Sequence, residues 1–124
     1  GVDIDPLAIR AARENIRLNS FNHTSINVFE GSIDRLQSEL QGVKADLLLC
    51  NILAPVIKDL LPHFEKIISL ESHAFFSGLL VDQIPVIKND LIELGWHFLA
   101  SYQLENWSLI HVCKNSFGEQ NAIS

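Results

Sequence analysis

Apolar and polar residues follow one another along the chain in blocks that predict strands and helices in turn. The chain opens on a strand end, VDI, followed by a helical stretch, DPLAIRAARENIRLN, with one apolar face. Asp5 can cap this helix, and Pro6 suits its first position. A β-rich run, SINVFEG, ends at Gly31, and SIDRLQSELQG then predicts a helical turn or loop closed by Gly42.

The middle of the chain repeats this alternation. The run ADLLLCN is almost continuously apolar, which is typical of a strand buried on both faces of a parallel sheet. Helical spacing follows in APVIKDLLPHFEKIIS, with a kink expected at Pro62. The run HAFFSGLL predicts another strand, and DQIPVIKNDLIELG predicts a helix closed by Gly95.

The end of the chain predicts an antiparallel hairpin. Two strand-like runs, HFLASYQL and WSLIHVCK, are joined by Glu105 and Asn106, which leaves no room for a helix. Alternating strands and helices before such a hairpin predict a three-layer α/β sandwich with a mostly parallel sheet. We expect one domain, or part of one, over residues 1–115, and a flexible tail over residues 116–124.

Composition narrows the class of protein. Of the 124 residues, 48% are hydrophobic and 19% are charged, which is typical of a globular protein. The net charge of -6 argues against direct nucleic-acid binding. No apolar run approaches the roughly 18 residues that span a bilayer, which predicts a soluble protein. Cys50 and Cys113 lie in apolar runs, so we expect buried free thiols and a cytoplasmic location.

The remaining chemistry-bearing residues give weaker signals. The five histidines lack metal-ligand spacing with any cysteine or acid, so we expect no metal site. Trp96 and Trp107 bracket the hairpin, and we expect them to pack in the core or at its edge. A position beside a substrate groove is the alternative for the tryptophans.

Parallel sheets bind ligands beyond the carboxyl ends of their strands, where this sequence places Asp3 and Asn51. A carboxylate such as Asp3 can accept two hydrogen bonds from adjacent ribose hydroxyls. The alternative is an acid favoured by the helix macrodipole, which we prefer for Asp5. The Asn51 amide could orient a nitrogen entering the site, or it could cap the next helix.

Four stretches in order resemble a known family: GVDIDPLAIRAARENIRLN, ADLLLCNILAPVI, FFSGLLVDQ and WSLIHVCK. They resemble the S-adenosylmethionine-dependent methyltransferases that modify ribosomal protein eleven of the large subunit, the PrmA family. The resemblance covers nearly the whole chain apart from the tail. It implies a Rossmann-like class I methyltransferase fold, and lysine or α-amino nitrogens of that ribosomal protein as the methyl acceptors.

The resemblance also implies roles for individual residues. Asp3 matches the acid that binds the cofactor ribose, and Asn51 matches the catalytic Asn of the NILA element, beside the methionine moiety and the transferred methyl. Further cofactor contacts are implied for three residues near the adenine, and substrate contacts for the three residues after Asn51. These sets are Ile4, Ser32 and Ile33 for the cofactor, and Ile52, Leu53 and Ala54 for the substrate.

The sequence departs from the family in two ways. It begins after the first strand and the Gly-rich loop of such folds, so we expect an exposed sheet edge through which chains could self-associate. It also reads NILAPVI where members often read NILAGPL.

Three other functions remain open. One is a methyltransferase for glutamine or nucleic-acid amines, which usually shows Asn-Pro-Pro-aromatic instead of NILA. Another is a nicotinamide oxidoreductase, whose sheet would continue in parallel where the hairpin is predicted. The third is a non-catalytic partial domain.

Overall fold

The computed structural model describes residues 1–21 and 25–114, and the chain divides into two units, Gly1–Val43 and Lys44–Ser124. The first unit contains β1 (Val2–Asp3), α1 (Pro6–Leu18), β2 (Phe29–Glu30) and α2 (Ile33–Leu40). β1 and β2 are parallel, with Asp3 opposite Glu30. The predicted tail lies outside the described residues.

The start of α1 and the end of α2 can be compared with the residues that predicted them. The backbone N–H of Leu7 donates to Asp5 Oδ1 at 2.9 Å and Pro6 begins α1, so the predicted cap is confirmed. The predicted helical turn is α2, and Gly42 closes it from the position after the C-cap. Gln41 is the C-cap of α2, in the left-handed conformation with φ 50°, and Gly42 follows with φ 88°.

The second unit contains a four-stranded mixed sheet in the order β3-β4-β6-β5. The β3–β4 pair is parallel, whereas β4–β6 and β5–β6 are antiparallel, as the predicted hairpin requires. Its elements are β3 (Ala45–Asn51), α3 (Ala54–Leu60), a 3-10 helix (Leu61–Lys66), β4 (Ile68–Leu80), a 3-10 helix (Val81–Gln83), α4 (Ile84–Glu93), β5 (His97–Leu104) and β6 (Trp107–Cys113). Within the described residues, no helix is both long and apolar enough to cross a membrane.

The segment between β3 and β4 corrects one prediction and confirms another. The α-helix gives way to 3-10 geometry beside Pro62, where the kink was expected, because proline has no N–H to donate. β4 starts at Ile68, five residues before the predicted start at His73, so the helical interpretation of Ile68 and Ser69 was wrong. Apolar residues such as Ile67 and Ile68 fit a helix face and a buried strand equally well.

The core of the second unit lies on one face of its sheet. Phe76 of β4 is fully buried, with its ring 5.5 Å from that of Phe64 and 6.2 Å from that of Trp96. The prediction that β3 is buried on both faces was wrong. Leu48 is buried, but Leu47 and Leu49 are 52% and 71% exposed, because side chains alternate between the faces of a strand.

A histidine pair on β4 and β6 makes the second unit sensitive to acid. His73 Nδ1 and His111 Nε2 lie 2.8 Å apart, so one ring donates a hydrogen bond and the other must accept it. Burial, followed by the charge of His73, lowers the pKa of His111 below 6.5. A lowered pKa means that folded His111 binds fewer protons than unfolded His111, so its contribution to stability is fully present above pH 6.5 and is lost as the pH falls.

We therefore expect His111→Gln to weaken the fall in stability between about pH 6.5 and pH 5. Urea unfolding midpoints at the two pH values measure this slope. His97→Gln, which removes an exposed histidine from β5, is the matched control and should keep the wild-type slope. Equal slopes in wild type and His111→Gln would show that the pair does not control the acid response.

Candidate functional site

A cavity of about 490 Å³ opens at the carboxyl ends of β3 and β4. Asn51, Ser77 and Gly78 line it from these two strands, and the hairpin supplies the rest of the wall. The hairpin residues are Tyr102, Gln103, Leu104, Trp107, Ser108 and Leu109. Its size lies within the range of small-molecule pockets.

Asn51 is the last residue of β3, opposite Ser77 in the parallel ladder, and it is exposed. The alternative role of Asn51 as a helix cap is not observed, because the N-cap of α3 is Leu53 and no side chain caps that helix. The position of the Asn51 amide is therefore set by the end of β3 and not by a hydrogen bond that caps α3.

A β-bulge lies next to Asn51. Phe76 is opposite Ile110 and Leu79 is opposite Ser108, so β4 carries one residue more than β6 across this interval. The bulge includes Gly78, whose φ of 74° is a left-handed conformation that favours glycine. Gly78 also lies directly against the Asn51 side chain.

Aromatic side chains form the outer wall of the cavity. Tyr102 and Trp107 are 60% and 55% exposed, whereas Trp96 is 2% exposed and belongs to the core. The core prediction is thus correct for Trp96, and Trp107 takes the alternative position at a cavity. Because β6 runs antiparallel to β4, the first residues of β6 lie at the carboxyl end of β4. The predicted hairpin could therefore have indicated Tyr102 and Trp107 as wall residues.

One hydrogen bond stabilises the turn after β4, and a second joins this turn to the hairpin. The backbone N–H of Leu80 donates to Gln83 Oε1 at 2.9 Å, and that of Val81 donates to the Asn106 carbonyl at 3.2 Å. Gln83 is the glutamine of the FFSGLLVDQ stretch. Its side chain thus stabilises the turn after β4.

The cavity is uncharged. None of its described lining residues is a carboxylate, a histidine, a lysine or an arginine. Burial raises the pKa of the neighbouring Cys50 thiol to about 11, so this free cysteine stays protonated at neutral pH. The described lining residues can therefore orient a reactant through amide and hydroxyl groups.

The three residues after Asn51 differ in exposure. Ile52 and Leu53 are 37% and 73% exposed, whereas Ala54 is 7% exposed and belongs to the core. The predicted substrate contacts of all three residues stay predictions, and burial leaves Ala54 little surface for one.

Apart from Asn51, the predicted cofactor residues lie in the first unit. Asp3 is exposed, and its Oδ1 accepts a hydrogen bond from the Asp5 backbone N–H at 2.9 Å. Ile4 is 77% exposed, Ser32 is the N-cap of α2 without a side-chain cap bond, and Ile33 is 5% exposed. Their cofactor roles, and the expected approach of Asp3 to Asn51, stay predictions.

No group of three or more His, Cys, Asp or Glu residues that could hold a metal ion occurs in residues 1–21 and 25–114. Cys50 and Cys113 are thiols as expected, with Cys113 buried and Cys50 half-buried.

The chain is similar to several curated proteins. A relative named "Ribosomal protein L11 methyltransferase" from Prochlorococcus marinus is 47% identical over 114 residues, which is 92% of this chain and 38% of that protein. The chain thus spans about two fifths of the length of that curated relative.

Solved structures share the fold. The ribosomal protein L11 methylase from Lactobacillus delbrueckii subsp. bulgaricus aligns with a TM-score of 0.78 and 26% identity, over 93% of this chain and 56% of that one. A structure described as a methyltransferase complexed with SAH aligns with a TM-score of 0.69 and 10% identity, over 90% of this chain and 38% of that one.

The family model described as "Ribosomal protein L11 methyltransferase (PrmA)" matches residues 1–115. The chain belongs to the ribosomal protein L11 methyltransferase family, PrmA.

Proposed function

We propose that this chain is part of an S-adenosylmethionine-dependent methyltransferase that methylates lysine or α-amino nitrogens of a large-subunit ribosomal protein. The observation that carries the proposal is the position of Asn51. Its exposed amide ends β3, lines a cavity of about 490 Å³ and belongs to the NILA element. An amide in an uncharged, partly apolar cavity suits a neutral amine as its ligand.

The first unit has the features that the cofactor's adenosine needs. Asp3 Oδ1 is held by the Asp5 N–H, and Asp3 Oδ2 makes no hydrogen bond with the described residues. A carboxylate in this state can still accept bonds from ribose hydroxyls, since each oxygen offers two lone pairs. The exposed side chain of Ile4 offers an apolar surface for the adenine beside this carboxylate.

The chain's own residues would act by orientation. When bound, S-adenosylmethionine supplies an electrophilic methyl group on a sulfonium. The amine needs a lone pair for attack, and lysine, with a pKa near 10.4, is mostly protonated at neutral pH. Burial of the amine between the hairpin wall and Asn51 disfavours its charged form, and the Asn51 carbonyl oxygen then accepts an N–H and directs the lone pair.

The ribosomal substrate is supported by the names of relatives that are 40% to 47% identical to this chain. The net charge of -6 also suits a basic partner rather than a nucleic acid. NILA, in place of Asn-Pro-Pro-aromatic, favours a protein amine over glutamine or a nucleic-acid amine. The observed antiparallel hairpin argues against the nicotinamide oxidoreductase alternative.

The proposal is tested with the whole protein, labelled S-adenosylmethionine and purified ribosomal protein L11. We expect label to be transferred to lysine or α-amino nitrogens, located by peptide mass spectrometry. A glutamine-containing peptide and an RNA fragment serve as alternative acceptors. Transfer to either of these and not to L11 would overturn the substrate assignment.

We also propose that the 124-residue chain self-associates through the outer edge of β3. No described strand pairs with that edge, and the exposed Leu47 and Leu49 lie on the same strand. Unpaired apolar edges template pairing between chains. We expect Leu49→Lys to shift the chain toward monomer in light scattering, whereas Leu104→Lys, at the far end of β5, should not. Equal masses for both variants would exclude the β3 edge as the interface.

A cytoplasmic location completes the proposal. The thiols of Cys50 and Cys113 suit a reducing compartment, and a ribosomal substrate is found there. Cell fractionation of the tagged whole protein tests this location, and recovery with the membrane pellet would contradict it.

A further inference from the structure

Gly78 faces the one side chain on which the proposed mechanism depends. A Cβ built on Gly78 would approach Asn51 Oδ1 more closely than the 3.0 Å that real Cβ contacts almost never breach. The same Cβ would lie 3.6 Å from Asn51 Cγ and 3.5 Å from the Ile52 carbonyl, which are ordinary contacts. The conflict is therefore confined to the amide oxygen.

Relief of this conflict requires the Asn51 side chain to rotate, because its oxygen is the atom that meets the added Cβ. Asn51 ends a strand whose ladder with β4 holds Asn51 opposite Ser77, so the backbone on both sides is fixed by the sheet. A residue with a side chain at position 78 would force the Asn51 amide into another rotamer or would break the end of the ladder. Either change moves the carbonyl oxygen that directs the amine.

We propose that Gly78 is a positioning residue for methyl transfer, which holds the Asn51 amide in its working orientation by leaving space for Oδ1. This inference rests on the proposed function for its catalytic consequence, but its structural part does not. The β4 bulge brings Gly78 against Asn51, and the φ of 74° keeps a side chain out of that place. Glycine at this position thus adopts the positive φ without strain and leaves space for Asn51 Oδ1.

The chain offers a control that separates these two purposes. Gly95 has a φ of 81°, close to that of Gly78, and a Cβ there would meet only the Lys114 Nζ, at 3.8 Å. Gly95→Ala therefore measures the strain of an L-residue at positive φ without a collision. Gly78→Ala measures the same strain together with the displacement of Asn51.

The test is a double-mutant cycle in the whole protein with the variants Gly78→Ala, Asn51→Ala and the pair combined. Because Asn51→Ala removes Oδ1, it should relieve the collision. We expect Gly78→Ala to lower the melting temperature by several degrees more than Gly95→Ala does, and the Asn51→Ala background to remove that excess. If Gly78→Ala alone fails to fold, recovery of folding in the double variant supports the inference equally.

Two results would overturn the inference. Additive losses of melting temperature in the cycle would show that Gly78 acts only through its backbone, and so would failure of both Gly78→Ala and the double variant to fold. These measurements need no methyl transfer, so they stand even if the proposed function fails.

The catalytic consequence is measured separately at saturating substrates. We expect Gly78→Ala to lower kcat at least tenfold, with little further loss when it is combined with Asn51→Ala. Gly95→Ala should retain the wild-type kcat below its melting temperature. An unchanged kcat in folded Gly78→Ala would refute the positioning role, whereas absence of transfer by the wild type would refute the proposed function instead.

Discussion

Replacement of Asn51 by alanine should lower the turnover of methyl transfer by about 10²-fold, because a misdirected amine loses much of the rate that orientation provides. The amide lies at an exposed strand end and caps no helix, so its removal should leave the fold intact. The measurement is kcat in the whole protein with labelled S-adenosylmethionine, at saturating concentrations of both substrates.

The control for this variant is Asn89→Ala on α4. Asn89 Nδ2 donates to Glu93 Oε1 at 3.0 Å along the helix, and Asn89 does not line the cavity. It should retain wild-type turnover. If Asn51→Ala also turns over at the wild-type rate, orientation of the amine by Asn51 is not part of the mechanism.

Replacement of Asp3 by asparagine should weaken the binding of S-adenosylmethionine about 10- to 100-fold, since hydrogen bonds to a charged group contribute about 1.5–3 kcal/mol. Asparagine keeps the oxygen that accepts from the Asp5 N–H at 2.9 Å, so the local turn should survive. Calorimetric titration of the whole protein with S-adenosylmethionine gives the dissociation constant, and kcat at saturating cofactor should change little.

Asp5→Asn is the matched control for Asp3→Asn, because asparagine is as good an N-cap as aspartate. Asp5 Oδ1 accepts from the Leu7 N–H and is engaged in the helix cap. Its variant should bind the cofactor as the wild type does. Equal weakening in both variants would mean that general acidity near α1, rather than the Asp3 carboxylate, attracts the ligand.

The second unit was largely predictable from the sequence where local signals and packing agree. The run ADLLLCN has the same bounds as β3, and the two-residue connection at Glu105 and Asn106 joins an antiparallel pair as expected. Both signals are local, since a strand pattern and a short turn leave few alternatives. The start of β4 and the exposure of Leu49 were not predictable, because each depends on which elements pack against the strand.

The candidate site was predictable in its centre and not in its surroundings. The sequence indicated Asn51 because it is a polar residue at the end of an apolar strand. Ligands of parallel sheets bind beyond the carboxyl ends of the strands, which is where Asn51 lies. Gly78 could not be identified in the same way, because its importance depends on a bulge and a clearance that exist only after β4 pairs with β6. Trp107 was more predictable than Gly78 and less predictable than Asn51, since its position at the cavity follows from the direction of β6 alone.

The β3–β4, β4–β6 and β5–β6 ladders, together with the hydrogen bond between the Val81 N–H and the Asn106 carbonyl, join the described wall residues in one continuous hydrogen-bonded framework. We expect the backbone of these strands to stay in place when the cavity is filled. Acceptors of different bulk would instead be accommodated by rotation of the exposed Tyr102 and Trp107 rings, a motion of picoseconds to nanoseconds that costs the sheet nothing.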